Sequence, residues 1–465
     1  MGEHRVDAVD AIWLNMDRPE NLMVIDAVMF LDAPVDRARL EDLLRTRLLD
    51  LYPVFSRRPV PARGLRRRQR WQDVEVDLDD HIRSVTLSAP GDDATLQRYV
   101  DGFMSAPLPR DRPLWEVHLV DGLSEGSAIF VRLHHAMADG IALTQVLFSL
   151  TDLVPEGDRD GSFDPDDPNN QVAAATAPRS VSSTPPAPPT RTPLGVRLAR
   201  AGGTVLGVLA VLLKLLVTRN PASPVRGRAG AAKRAVWSQP IDLRRIKDIA
   251  QHADATVNDV LLSALSGALE TYQVDRGSRP IDLPTMIPVN VRPLDQPLPR
   301  ELGNRFALVL LGLPSGPGSA VARLTETKRR MDAVKASPEP AVTFVLLQGI
   351  GLLGGRLRRL VVSFFAAKVT GVTTNVPGPR EARYLAGTRI DGVLGWVPGA
   401  GGQTFGTCIF TYAGTVRIGF KSDADVVIDP ECLLTAFHAE IAALEALVTG
   451  PAGGHAARPP ELVVR

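Results

Sequence analysis

The chain has 465 residues, a formal net charge of +1, 45% hydrophobic and 23% charged residues, and two cysteines. This is globular composition, long enough for one to three domains with a sizeable core; the near-neutral charge gives no field that would recruit nucleic acid. Cys408 and Cys432 can make neither a disulfide framework nor a metal knuckle, so both are expected to be buried core thiols in a reducing cytoplasm.

The start, Met1-Gly2-Glu3-His4-Arg5-Val6-Asp7, lacks the apolar run of a secretory signal, and Val6 stands where a myristoylation motif takes Ser or Thr. Met23 to Phe30 reads as a strand. Asp36 to Leu51 reads as a helix, with Leu40, Leu43, Leu44 and Leu48 at helical spacing. The basic run Arg57, Arg58, Arg63, Arg66, Arg67, Arg68, Arg70 follows; it would steer a phosphorylated cofactor or anionic lipid by charge, or is a solvated loop. Ala94 to Met104 predicts a helix, and Trp115 to Val120 and Ala128 to Leu133 predict paired strands. Gly140 to Leu153 predicts a helix with Asp139 as its N-cap.

Residues 156–193 change character: Asp and Gly give way to Ser183-Thr184-Pro185-Pro186-Ala187-Pro188-Pro189-Thr190, a linker composition. The chain thus divides into a first half (1–155), the linker, and a second half (194–465). In the second half, helices are predicted over Ile241–His252, Val257–Tyr272, Ala320–Ala336 and Pro430–Val448. Strands are predicted over Thr285–Val291, Phe306–Leu313, Gly371–Val376, Gln403–Tyr412 and Val416–Phe420. Helices and strands alternate irregularly, which fits two α+β halves better than a doubly wound sheet. Two apolar segments, 201–217 and 344–365, are too short or too basic to be plain bilayer spans; each reads as a helix on an anionic surface or as a buried amphipathic helix.

The chemistry concentrates in His134-His135-Ala136-Met137-Ala138-Asp139-Gly140, at a strand–helix junction. A histidine there can take a proton at neutral pH, and Asp139 can hold a ring or its surroundings in place. No Gly-x-Ser-x-Gly elbow is present and neither cysteine sits in a nucleophile motif, so direct transfer between two bound substrates is preferred over an acyl-enzyme. The remaining histidines show no partner spacing for a metal. Pro113-Leu114-Trp115 and Asn258-Asp259 are weak signals alone: Trp115 suits a core, and Asn258-Asp259 suits a helix start.

Taken together and in order, these motifs resemble the bacterial wax ester synthase/diacylglycerol acyltransferase family, abundant in actinobacteria. His134–Gly140 matches its HHxxxDG, Pro113-Leu114-Trp115 its PLW, and Asn258-Asp259 its ND. Pro288-Val289-Asn290-Val291-Arg292, Leu302-Gly303-Asn304-Arg305 and Asn375-Val376-Pro377-Gly378-Pro379 match later signatures, with Thr374 where the family usually has Ser. The likeness runs from Asp10 to Val448, the linker apart. It implies two chloramphenicol-acetyltransferase-like domains with a substrate tunnel at their interface. It implies acyl-CoA as co-substrate with no other cofactor, and diacylglycerol or a long-chain alcohol as acceptor. His135 would be the general base, with His134 and Asp139 shaping the site. Gly140, Asn258, Asp259, Asn304, Arg305 and Asn375 would bind or support substrate, and Pro113 to Trp115 would be structural. A cytoplasmic enzyme attached peripherally to the inner membrane face or to lipid inclusions follows. Two alternatives remain open: a related HHxxxDG acyltransferase with another acceptor or a carrier-protein thioester, and a non-catalytic lipid-binding protein.

Overall fold

The computed structural model describes residues 2–60, 69–157, 207–292 and 298–449. The linker from residue 158 onward, the apolar residues 201–206, and Arg63, Arg66, Arg67 and Arg68 lie outside the described residues.

In the first half, β1 (Glu3–Arg5) pairs with β4 (Arg70–Asp73), which pairs with β3 (Arg57–Val60), in a small separate sheet. A short helix α1 (Asp10–Leu14) precedes the long strand β2 (Val24–Leu31). The helix predicted over 36–51 begins as α2 (Arg37–Leu43), capped by the Asp36 carboxylate on the amides of Ala38 and Arg39, and continues as a π-helix over Leu44–Leu49. Then come β5 (Ile82–Thr86), α3 (Asp93–Met104), β6 (Trp115–Asp121), β7 (Ser127–His134), α4 (Gly140–Ser149) and β8 (Thr151–Asp152). Helix α4 stops before Leu153 because Thr151 and Asp152 pair with a late strand of the chain, and Asp152 is tied to Arg47 at 2.7 Å.

The second half opens with a helix α5 over 207–217, then β9 (Lys233–Trp237), β10 (Ile241–Asp242), α6 (Leu243–His252), α7 (Val257–Asp275), β11 (Leu283–Asn290) and β12 (Phe306–Leu313). It continues with α8 (Ala320–Ala336), α9 (Glu339–Leu352), α10 (Gly355–Ala366), β13 (Gly371–Pro377), β14 (Tyr384–Leu385), β15 (Thr388–Trp396), β16 (Phe405–Tyr412), β17 (Thr415–Asp423) and α11 (Glu431–Thr449). Ile241 and Asp242, predicted as helix, are instead drawn into a bridge with Val416 and Thr415, and the Asp242 side chain caps α6. Cys432 is exposed in the first turn of α11 beside Asp429, which corrects the expectation that both thiols are buried; Cys408 is buried in β16.

Two seven-stranded sheets result: β5-β6-β7-β2-β15-β14-β8, and β10-β17-β16-β13-β11-β12 with β9 on β17. They do not divide at the linker. Strand β15 leaves the second half and pairs antiparallel with β2, from Ile390 opposite Leu31 to Trp396 opposite Asp26. One face of the first sheet is covered by α2, the π-helix and α4, around a small cavity of about 30 Å³ walled by apolar side chains such as Leu44, Leu48, Val131 and Val146. The second sheet is covered by α6, α7, α8 and α11; α7 is buried on nearly all sides, as its Val260-Leu261-Leu262 run, apolar all round, requires.

All eight residues of β7 are buried, so its polar side chains must be paired. Arg132 meets Asp26 of β2 at 3.2 Å and Glu116 of β6 at 3.3 Å, and donates to the carbonyls of Phe103 and Ala106. Asp26 also meets Lys421 of β17 at 3.1 Å, so a buried ionic cluster ties the two sheets together.

Candidate active site

Strand β7 delivers His134 and His135 to the seam between the halves. The backbone ladder persists through them: the His134 amide donates to the Leu114 carbonyl (3.0 Å) and the His135 amide to the Met23 carbonyl (2.8 Å). The two imidazoles then part company. His134 is fully committed: its Nδ1 accepts from the Ala136 amide (3.1 Å) and its Nε2 donates to Asp17 (3.0 Å). Burial works against the Asp17 carboxylate, but His134, the Met23 amide and Arg110 more than offset it and hold the group down to about 2. With both ring nitrogens occupied, His134 is a structural peg.

His135 is the opposite case. Its ring is stacked on Trp13 of α1, with centroids 4.5 Å apart and planes 22° apart, and lies 5.7 Å from Phe306 of β12. Nδ1 is buried without a well-formed hydrogen bond to another residue. Burial between these rings drives the imidazole down to about 4, against the opposing pull of its own carbonyl and of Asp139. With Nδ1 enclosed and unpartnered, Nε2 is the nitrogen left to take a proton.

Asp139 does not hydrogen-bond either ring. Its Oδ1 caps α4 at the Ala142 amide (2.9 Å), and its Oδ2 accepts from the Arg305 amide (3.0 Å) and meets Arg292 at 3.2 Å. It therefore joins the HHxxxDG loop to the second half. Asn304 adds a second tie: its side-chain amide donates to the His135 carbonyl (2.8 Å) and to Asp10 (2.9 Å), and its backbone amide donates to the same Asp10 oxygen (3.0 Å). Burial pushes the Asp10 carboxyl up to about 7 despite these donors. The Arg305 side chain itself is exposed; only its backbone joins the site. A Cβ added to Gly140 would meet nothing within 4 Å, so the first turn of α4 fronts open space.

The other sequence signals lie elsewhere. Pro113, Leu114 and Trp115 are packed in the first core, where Trp115 Nε1 donates to the Phe55 carbonyl (2.9 Å) and its ring stacks on His81. Through the Leu114 carbonyl they set the end of β7. Asp259 is the third residue of α7 and closes a reciprocal capping box with Thr256. Asn258 accepts from Asn375 of β13 (3.0 Å), so two separately recognised motifs meet. Among the described residues no hydrogen bond joins that pair to the His135 group. Asp10, Trp13, Asp17 and Phe306 were not singled out from sequence; the one local hint was an aspartate set inside the apolar run Val9 to Leu14. Among the described residues no cluster of three or more His, Cys, Asp or Glu has the arrangement of a metal site.

The fold and site define a two-domain acyltransferase architecture, with an HHxxxDG loop held at the seam by both halves. Residues 6–261 match the wax ester synthase/diacylglycerol acyltransferase catalytic domain, and residues 302–445 match the C-terminal domain of the same family. A Mycobacterium tuberculosis protein named as a diacylglycerol O-acyltransferase is 30% identical over 413 residues, 83% of this chain and 79% of that one. The wax ester synthase/diacylglycerol acyltransferase of Marinobacter aquaeolei superposes with a TM-score of 0.69 at 19% identity, covering 96% of this chain and 100% of that one. The first condensation domain of the calcium-dependent antibiotic synthetase follows at 0.60 and 17%, covering 97% of each, and shares the chloramphenicol-acetyltransferase-like fold. The chain belongs to the wax ester synthase/diacylglycerol acyltransferase family, and its activity is that of an O-acyltransferase.

Proposed function

We propose that the enzyme moves a long-chain acyl group from acyl-CoA directly to the hydroxyl of diacylglycerol or of a long-chain alcohol, with His135 as general base. The observation that carries this is the contrast between the two histidines: His134 has both ring nitrogens hydrogen-bonded, whereas His135, half-buried in the Trp13 and Phe306 stack, is held neutral with its Nδ1 enclosed and unpartnered, which leaves Nε2 for the proton. In this reading the acceptor oxygen attacks the thioester carbon as Nε2 takes its proton. The tetrahedral centre then collapses, the C–S bond breaks, and Nε2 returns the proton to the departing thiolate. A ring whose conjugate acid has a pKa near 4 is a strong acid toward a thiolate whose thiol has a pKa of about 8.5, so the return step runs downhill. Asp139, Asn304 and Arg292 act by fixing the loop across the seam; Asn258, Asn375 and Gly140 line or support the substrate path.

Attachment to a membrane or lipid-inclusion surface is part of the same proposal. Helices α5, α9 and α10 share a small core through Val211, Leu215, Leu346 and Phe365. Their outer faces expose Leu209, Leu213, Leu216, Leu352, Leu360 and Phe364, with Arg219, Arg356 and Arg359 among them. Apolar side chains interleaved with arginines suit the boundary of an anionic lipid surface. Among the described residues no helix is long and apolar enough to cross a membrane.

The test is incubation of purified protein with palmitoyl-CoA and, separately, hexadecanol or dipalmitoylglycerol, with thiol release and extracted lipid both measured. Ester formed with either acceptor supports the reading and ranks the acceptors. Stable folded protein that forms neither ester contradicts it.

A further inference from the structure

Two buried polar atoms at the seam are left over when the bonds above are counted. They are Nδ1 of His135 and Oδ1 of Asn304, both enclosed and without a well-formed hydrogen bond. A buried polar atom left unpaired is costly, so each calls for an explanation. The two are complementary: a ring nitrogen can donate, and an amide oxygen can only accept. They also belong to residues that already touch. The Asn304 side-chain nitrogen donates to the His135 carbonyl at 2.8 Å; the amide oxygen shares a carbon with that nitrogen, and Nδ1 is the ring nitrogen nearer the main chain. Burial pushes the imidazole down to about 4, and two oxygens draw it up by hydrogen bonding: its own carbonyl and, less strongly, the Asn304 side chain. An amide can raise an imidazole in this way only through its oxygen. Asn304 therefore serves the ring twice, as one acceptor and as the holder of the other.

The sense of the Asn304 amide is set by Asp10, which the mechanism above does not use. Asp10 Oδ1 accepts from both the backbone N–H (3.0 Å) and the side-chain nitrogen (2.9 Å) of Asn304. Turned over, the amide would set its oxygen against that same Asp10 oxygen and against the His135 carbonyl, two acceptors. With the nitrogen so committed, Oδ1 is the atom left for the ring. We propose that Asn304 and Asp10 are positioning residues that select the tautomer of His135: Asp10 fixes the sense of the amide, and Asn304 Oδ1 accepts from Nδ1–H. A neutral imidazole carries one N–H, and the hydrogen bond made by one nitrogen decides where it sits. Held at Nδ1, it leaves Nε2 a lone pair for the acceptor O–H. On Nε2 it would turn the ring into a donor where a base is needed. When Nε2 takes the substrate proton, Asn304 Oδ1 faces an imidazolium, a stronger partner than the neutral ring.

This deepens the reading of His135 as base and rests on it, and the experiment separates the two. The full chain is labelled with ¹⁵N-histidine and its imidazole ¹H–¹⁵N correlations are recorded near neutral pH, with His135 assigned by its absence in His135→Ala. The parent is expected to show Nδ1 protonated and Nε2 bare. Asn304→Leu keeps the shape of the amide without its oxygen. It is expected to move the proton to Nε2 in a large share of molecules and to lower kcat, at saturating palmitoyl-CoA and acceptor, by about fivefold or more. Loosening the seam alone would cost stability without moving the ring proton. Asp10→Leu frees the amide to turn and should shift the tautomer in the same direction; it decides if Asn304→Leu does not fold. A parent ring with its proton on Nε2 overturns the proposal while leaving the acyltransfer reading to its own test. A folded Asn304→Leu or Asp10→Leu protein that keeps the proton on Nδ1 overturns it too, whatever its rate. A shifted tautomer at full kcat removes His135 as the base, and the positioning role with it.

Discussion

The pH profile of the enzyme follows from the burial of His135. An imidazole displaced from 6.5 to about 4 favours its neutral form by roughly 3 kcal/mol over an exposed one. At pH 5.5 a ring of pKa 4 is about 97% neutral, whereas an ordinary histidine would be about 9% neutral. The ratio of kcat/KM at pH 5.5 to that at pH 7.5 is therefore expected to be close to unity, with the acid limb near pH 4. Phe306→Ala removes one wall of the ring stack, 5.7 Å from the imidazole; admitted water should carry the limb up to above about pH 5. The assay is kcat/KM for palmitoyl-CoA from pH 4 to 8, with circular dichroism at each pH. That control matters because the same burial is linked to stability. The folded pKa is depressed, so the His135 contribution is present above 6.5 and is lost as pH falls from there to about 4. A limb near 6.5 in the parent, with the protein folded, would refute the claim that desolvation sets this base.

Asp10 runs the other way: its folded pKa is raised to about 7, so its contribution is present below 3.8 and lost as pH rises through 7. Asp10→Asn, which keeps an acceptor for Asn304, should gain stability on the parent as pH rises from about 4 to about 7 and hold that gain above, by about 4 kcal/mol in all in urea unfolding; a difference independent of pH would contradict this. Asp26→Ala leaves Arg132 and Lys421 buried without their shared carboxylate, and a loss of about 3–5 kcal/mol is expected in chemical denaturation. Less than about 1 kcal/mol would mean that the cluster does not tie the sheets. Gly140→Ala meets no atom in the protein, so its melting temperature should match the parent; if α4 fronts substrate, KM for the acceptor rises while stability does not move. Unchanged KM would place substrate elsewhere.

Elements governed by local periodicity were readable. Strand β12 and helix α8 occupy the predicted residues, because β12 is a short apolar run buried on both faces and α8 buries one stripe at helical spacing. Strand β15 was not foreseen. Gly392 and Gly395 weaken its local signal, and what makes it a strand is pairing with β2, more than 350 residues away in the chain. The π-helical turn after α2 and the strand that ends α4 meet at the buried Arg47–Asp152 pair, which no window along the sequence contains. At the site, HHxxxDG marked the place and the family resemblance named His135 as base with His134 and Asp139 in support, but the sequence did not show what divides the two rings. That division depends on Asp17, Trp13 and Phe306, contributed by α1, the loop after it, and a strand of the other half. The link from Asp10 through Asn304 to the His135 carbonyl spans the full seam and leaves only an aspartate in an apolar helix as its trace.

The central claim is that His135 carries the proton between acceptor and thiolate. Its most direct test is ester formation from palmitoyl-CoA and the better acceptor by the parent, His135→Ala and His134→Gln under one set of conditions, with thermal unfolding alongside. The account expects His135→Ala to lose about 10²–10⁴ in kcat with an intact fold, while His134→Gln loses stability first. A folded His135→Ala that keeps most of the parent rate would contradict it.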